Sequence, residues 1–322
     1  NLQKNNMKKI IQTVMRACNE NSPQVGATMV KFQNGMLAAY GGTFCVQAPV
    51  DMDLECAFNP QTMAGFFRKD RTGASYTIQK GTLIAKHKRE TLKIKCIDPS
   101  EVPIIDVIKD KVATRGFPKK ALNYLMKCVD NAHYNPSLQG ILLRDGELSA
   151  TNAQVALAVK CDVRGIDTVI PADTVSFITS RKEEVTHYAY DQNHLKFWFS
   201  DGVTLCTRLI SSVDYPDLSR IFKSNTESFQ ISKELREELA NVTCDTIKLN
   251  KDGAEYINEN GDSGFFSIES ALESEFCASK KYFDIVNDLN LDNTFGRNKE
   301  GGLIFGNGAD YFKSVFTTIR MQ

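Results

Sequence analysis

Apolar and polar positions along this chain keep two rhythms, and the switches between them recur. Alternating, strand-like runs over 27–32 and 36–40 flank Asn34-Gly35. Runs over 139–143 and 148–151 flank Asp145-Gly146, and runs over 246–249 and 254–258 flank Asp252-Gly253. Such dipeptides between strands predict type I′ hairpins, whose two central residues need positive φ. The three glycines stand 111 and 107 residues apart. A helical rhythm precedes each hairpin, over 7–19, 119–132 and 232–242; Ala121, Leu122, Leu125, Met126 and Val129 share one face of the second. A second helix follows each hairpin, over 59–69, 171–182 and 279–289. Pro60 and Pro171 suit a first helical position and Ser279 suits an N-cap. Phe66, Phe177 and Ile285 fall at matching places, 111 and 108 apart. Strand pairs over 83–97, 195–210 and 303–319 close each unit, led by Leu83, Leu195 and Leu303 at spacings of 112 and 108.

Landmarks that keep one period predict three copies of helix–hairpin–helix–strands. The expected fold is α+β, with three tandem domains over 7–112, 113–222 and 223–322, each two helices packed on antiparallel sheet. Residues 1–6 are polar and are left out of this fold reading.

Composition then narrows the function. Of 322 residues 42% are hydrophobic, enough for more than one core. Lys+Arg and Asp+Glu are 39 each, but the repeats differ. Residues 1–112 hold 16 cations to 10 acids, residues 113–222 hold 12 to 12 and residues 223–322 hold 11 to 17, so net charge runs +6, 0, −6. Nine cysteines without a C-x-x-C spacing predict neither a disulfide scaffold nor a zinc ribbon, and no metal or cofactor is expected. The uncharged stretch 32–50 is broken by polar residues, Pro49 and glycines, so no membrane span is expected. The polar start has no signal-peptide core, and a cytoplasmic location is expected.

The cations sit on equivalent helices. Arg68, Lys69 and Arg71 end the second helix of repeat one, Arg181 and Lys182 end that of repeat two, and Lys280 and Lys281 open that of repeat three. Lys8, Lys9 and Arg16, then Lys119, Lys120 and Lys127, then Lys233 and Arg236 mark the leading helices. On one helix this is an ordinary solvated face, with cations complementing a C-terminal dipole. Recurrence in three units predicts a sequence-blind track for the phosphates of double-stranded DNA. Other motifs carry less. Gly261-Asp262-Ser263-Gly264 spells a protease tetrapeptide but reads as a turn, since no partner histidine segment precedes it. Asp288, Asn290 and Asp292 lack the glycine and glutamate of a calcium loop. Gly301-Gly302 reads as a hairpin, His87, His133, His187 and His194 as scattered, and Trp198 as sheet core. No catalytic residue is assigned.

Three tandem units of this order resemble the bacterial β sliding clamp, the processivity subunit of the replicative DNA polymerase. Ala150-Thr151-Asn152-Ala153-Gln154-Val155-Ala156-Leu157-Ala158 resembles that family's Ala-Thr-Asp-Gly-His-Arg-Leu-Ala segment. Tyr215-Pro216-Asp217-Leu218-Ser219-Arg220-Ile221 is similar to its Phe-Pro-Asp-Tyr-Arg-Arg-Val crossover, and 315–321 to its terminal strand. The resemblance implies a head-to-tail homodimer of six domains encircling DNA, with a polymerase and a clamp loader as partners and no enzyme activity. It also implies a partner-peptide groove of Thr151, Leu157, Pro216, Arg220, Ile221, Ile319, Arg320 and Met321. Asn152, Ala153, Gln154 and Val155 replace Asp-Gly-His-Arg, and Thr317-Thr318-Ile319-Arg320 replaces Met-Pro-Met-Arg. Such divergence fits a phage or mobile-element clamp with its own motif preference. A non-circular monomeric processivity factor and a nucleic-acid enzyme on a clamp-like scaffold are the alternatives.

Overall fold

A computed structural model describes residues 7–66, 71, 73–107, 110–114, 117–268, 275–289, 294–307 and 312–318. The first repeat runs α1 (Met7–Met15), β1 (Val30–Gln33), β2 (Met36–Tyr40), β3 (Phe44–Pro49), β4 (Cys56–Phe58), α2 (Pro60–Phe66), β5 (Ser75–Gln79), β6 (Thr82–His87) and β7 (Glu90–Lys95). After β8 (Val112–Ala113) the same order returns as α3 (Lys119–Lys127), β9 (Gly140–Arg144), β10 (Glu147–Thr151), β11 (Val155–Lys160), β12 (Asp167–Pro171), α4 (Ala172–Ser180), β13 (Val185–Tyr190), β14 (His194–Phe199) and β15 (Thr204–Arg208). A short α5 (Leu218–Lys223) and β16 (Asn225–Gln230) lead into α6 (Lys233–Asn241), β17 (Thr246–Asn250), β18 (Gly253–Ile257), β19 (Ser263–Phe266), β20 (Phe276–Ser279), α7 (Lys280–Leu289), β21 (Thr294–Asn298), β22 (Leu303–Asn307) and β23 (Phe312–Thr317).

The chain divides into two compact units that cut the middle repeat at Ala172. One unit runs up to Phe117 and adds Asp173–Ile210. Its eight-stranded sheet has the order β4-β1-β2-β3-β15-β14-β13-β8, and a second sheet is β5-β6-β7. The other unit is Pro118–Ala172 with Ser211–Gln322. Its eight-stranded sheet is β12-β9-β10-β11-β23-β22-β21-β16, beside a four-stranded sheet β19-β18-β17-β20. Each eight-stranded sheet therefore joins halves of two consecutive repeats through one seam. In the first unit the seam is β3 against β15, with Cys45 opposite Cys206 and Val46 opposite Leu205. In the second it is β11 against β23, with Ala156 opposite Val315 and Leu157 opposite Ser314.

Each helix buries its apolar stripe: Ile11 and Val14 of α1, Ala121, Leu122 and Leu125 of α3, Leu235 and Leu239 of α6, and Phe283, Ile285 and Val286 of α7. At roughly 1.5–3 kcal/mol per buried large side chain, these stripes rather than helix propensity hold such short helices.

Several local expectations are corrected. The leading helices end early, at Met15 and Lys127. Pro171 is the last residue of β12, opposite Gly140, and helix begins only at Ala172. Asn34-Gly35 and Asp145-Gly146 have the positive φ of type I′ turns, whereas the third hairpin turns on Lys251-Asp252, since Asn250 pairs with Gly253. A Cβ on Gly253 would meet the carbonyl oxygen of Phe266 at 1.8 Å, so glycine is needed there for strand approach. Leu303 is partly exposed and Ile304, fully buried, takes the place of Leu83 and Leu195 in the pleat. That one-residue slip matters because a strand's faces alternate. The crossover holds a short helix, α5, capped by Asp217 accepting from Ser219 N at 3.0 Å. The protease-like tetrapeptide lies at the β18–β19 hairpin, with Gly261 at φ +85.

Candidate DNA-facing and partner-peptide surfaces

The helical cations fall into two classes. Lys120, Lys127, Lys182, Lys233 and Lys281 are exposed, as are Lys8 and Lys9. Lys127 lies 3.8 Å from Asp288 and Lys233 3.5 Å from Glu237, both loose surface pairs of small energetic weight. Arg68 and Lys69 lie outside the described residues. Lys119 is half-buried.

The other class is used internally, which corrects the expectation that all these side chains face solvent. Arg181 has a side chain only 4% exposed, 2.7 Å from Asp201 and 3.1 Å from Glu183. Its guanidinium lies over the rings of Phe177 and Phe199. Arg is suited to this, since its flat, weakly hydrated cation both stacks and forks. Lys280 is buried and gives Asp284 two bonds, at 2.6 and 2.7 Å; burial nonetheless raises the pKa of Asp284. Arg71 pairs with Glu90 and lies over Phe66. Arg236 bonds the side chain and the carbonyl of Asn287, and burial lowers its pKa. A cation engaged by groups of its own chain is less available to a phosphate.

The expected groove residues lie in the second unit. Thr151 ends β10 and is buried; its hydroxyl donates to Val155 O at 2.9 Å and accepts from Ala153 N at 3.1 Å. Asn152 Oδ1 accepts from Gln154 N and Val155 N, both at 3.0 Å, so the loop closes on itself with Ala153 at φ +71. Tyr282 of α7 ties this loop down, accepting from Asn152 Nδ2 at 3.2 Å and donating to Gln154 Oε1. Nothing in the sequence singled out Tyr282, because the residue that meets it is 130 positions away. Gln154 O accepts from Thr317 N at 2.8 Å, which joins the loop to the end of β23.

The crossover lies against the same strands. Tyr215 is buried and donates to Ser149 O at 3.1 Å; burial pushes its pKa up. Leu218 is buried, and α5 packs on β16 and β23. Pro216 and Arg220 are exposed, Arg220 lying 3.3 Å from Asp217. Bonds from Ser219 lower the pKa of Asp217. Ile221 is half-buried and Leu157 fully buried. Thr151, Leu157 and the crossover thus assemble on one sheet, but Pro216, Arg220 and Ile221 supply the accessible surface. Ile319, Arg320 and Met321 lie outside the described residues. Among the described residues no three metal-ligating side chains gather, no helix is long and apolar enough to cross a membrane, and the cysteines are free.

The arrangement of three repeats, two seams and paired helices can be set beside solved structures. The Helicobacter pylori beta clamp bound to a DNA ligase peptide superposes with a TM-score of 0.83 at 15% identity, covering 99% of both chains. The fold is that of the bacterial β sliding clamps. The DNA polymerase III subunit beta of Pseudomonas aeruginosa gives 0.79 at 12% identity, again over 99% of each chain. No family model matches the sequence, and no curated protein matches it either. The sliding-clamp fold is thus present at 12–15% sequence identity.

Proposed function

We propose that the protein is a DNA sliding clamp: a head-to-tail homodimer that encircles duplex DNA and tethers a replicative polymerase after placement by a clamp loader. The observation that carries this reading is the clamp fold over 99% of the chain. The role is topological and uses no chemistry of its own. Exposed Lys120, Lys127, Lys182, Lys233 and Lys281 supply long-range attraction to phosphate, with Arg68 and Lys69 proposed to join them. A peptide of the polymerase or loader docks at Pro216, Arg220 and Ile221, completed by Ile319, Arg320 and Met321. The cytoplasm, where the chromosome is copied, is the proposed location.

Retention on circular DNA tests the ring directly. Protein loaded on a nicked plasmid should stay through a high-salt gel-filtration column and leave once the plasmid is cut. Equal loss from circular and linear DNA overturns encirclement and leaves the non-circular factor. Replacing Lys120, Lys127, Lys182 and Lys281 with Ala should weaken DNA association equally for all sequences and flatten its dependence on salt. A loss confined to one sequence would mean base readout.

A further inference from the structure

Two thiols of repeat one meet where its two sheets join. Cys56 opens β4, the edge strand of the eight-stranded sheet, opposite Phe32 of β1, and is 2% exposed. The outer side of β4 is met by the chain leaving β7. Ala57 N donates to Ile97 O at 3.1 Å, and Ile97 N donates to Ala57 O at 2.8 Å. One residue earlier, Cys96 N donates to Gly81 O at 2.8 Å, in the turn between β5 and β6. The chain thus passes from the second sheet to the first between Cys96 and Ile97. Cys56 and Cys96 each precede one member of the antiparallel Ala57–Ile97 pair, so the pleat puts both side chains on the face opposite to that pair. Cys96 gives its own S–H to Ile94 O at 3.6 Å, which leaves its sulfur to accept from the Cys56 thiol.

We propose that Cys56 and Cys96 are an oxidation site: a low-molecular-weight disulfide converts them into a reversible disulfide that staples β4 to the end of β7. Access sets the order of events. Cys96 is half-buried and touches solvent, whereas Cys56 is sealed. The Cys96 sulfur, on losing its proton, attacks one sulfur of the reagent R–S–S–R, forming Cys96–S–S–R and releasing R–SH. The Cys56 sulfur then attacks the Cys96 sulfur of that mixed disulfide, and a second R–SH leaves. Two protein S–H bonds and the reagent's S–S bond break, while one protein S–S bond and two R–SH molecules form. Two electrons pass from the protein to the reagent. Burial above all pushes the Cys56 thiol up, so the second step should be the slower one and should speed up with pH.

The other cysteines differ in access or in partner. Cys45 and Cys206 face each other at the β3–β15 seam, but at 0% and 1% exposure they are closed to any reagent. Half-buried Cys18, Cys161 and Cys244 should stop at mixed disulfides. A Cys56–Cys96 bond encloses residues 57–95, which carry α2 and the whole of the β5-β6-β7 sheet. A cross-link of that span restricts the unfolded chain and reinforces the backbone bridge between the two sheets.

Peptide mapping reads the bond. The unaltered chain, incubated with oxidised glutathione at mildly alkaline pH, alkylated and digested without reductant, should yield a linked 56–96 peptide pair that dithiothreitol separates. Glutathione left on Cys96 without that pair, or a pair made by other cysteines, overturns the proposal. Cys56→Ser should trap glutathione on Cys96, and Cys96→Ser should leave Cys56 unmodified. An adduct on Cys56 in the second variant overturns the stated order of attack. A variant that fails to fold leaves the mapping of the unaltered chain to decide the pairing. The oxidised protein should also unfold at a higher urea midpoint than the reduced protein, a shift absent from Cys56→Ser treated alike. Equal midpoints overturn the staple.

Discussion

The two internal seams share a topology and differ in chemistry. At the β3–β15 seam polar and charged groups hold the helices. Lys9 meets Glu183 at 2.5 Å, Arg16 donates to Ser180 and to Ser176 O, and Thr174 shares a buried 2.7 Å bond with Thr207. The opposite face holds Cys45, Cys206, Tyr40 and Ala189 under Val107, pinned by Lys196 and Asp106 at 2.5 Å. Burial pushes both thiols up to about 12, which makes them inert packing groups. At the β11–β23 seam a cluster of rings fills the space between helix and sheet. Phe283 stacks on Phe295 at 6.0 Å and meets Phe316 edge-on at 6.2 Å, while Phe229 and Phe276 extend the cluster. Among the described residues α3 and α7 are joined by the loose Lys127–Asp288 contact, beside the Lys280–Asp284 pair within α7 and an exposed Lys313–Glu147 pair on the sheet. One strand arrangement thus accepts either solution, because the backbone ladder supplies the alignment and the side chains need only fill the space between helix and sheet.

The largest effect should come from the aromatic seam. Phe283→Ala opens a cavity in a fully buried cluster and should cost about 3–5 kcal/mol, read by urea unfolding. A cost under about 1 kcal/mol would mean that the cluster is not what holds that seam. Arg181→Ala comes next. It leaves Asp201 and Glu183 without their buried partner, but both carboxylates keep some solvent, so about 2–3 kcal/mol is expected rather than the full penalty of a buried pair. Arg181→Met should recover part of this, through packing on Phe177 and Phe199. A fully stable Arg181→Ala would restore this residue to the solvent-facing class. Tyr215→Phe removes one buried hydroxyl bond to Ser149 O and should cost about 1 kcal/mol.

The contrast also explains what the sequence made legible. Repeats were visible because a seam needs strand pairs and an apolar stripe at fixed intervals, and periodicity records both. The chemistry at each position was not, since Arg181 and Lys182 are neighbours of one type that the chain turns to opposite sides of the surface. Phe177 of α4, Phe199 of β14 and Asp201 of the β14–β15 hairpin decide which is buried, and two of these three lie eighteen or more residues further along the chain. The slip from Leu303 to Ile304 has a similar origin: both are aliphatic, and only the pairing partner fixes the pleat. The 151–155 loop was recognisable from Ala150-Thr151, yet its anchoring depends on Tyr282, which no local pattern marks.

The smallest effect separates the seams by pH. Burial opposes the charge on Glu183, but the bond from Lys9, a backbone N–H and the charge of Arg181 outweigh it and lower its pKa below the ordinary 4.5. A carboxylate with a depressed folded pKa stabilises the fold above its unfolded value, and that contribution disappears as pH falls through the folded value. Glu183→Gln should therefore cost about 0.5–1 kcal/mol at pH 7, since Lys9 is exposed and its pair is screened. Below the ordinary glutamate value the wild type loses the same contribution, and the two proteins should converge. Asp288→Asn, which removes the exposed 3.8 Å pair of the aromatic seam, should show no such difference at either pH. Urea unfolding at pH 7 and near pH 3 decides between them. A Glu183→Gln deficit that persists in acid would mean that the side chain contributes by packing rather than charge, and the chemical contrast between the seams would shrink to their aromatic content.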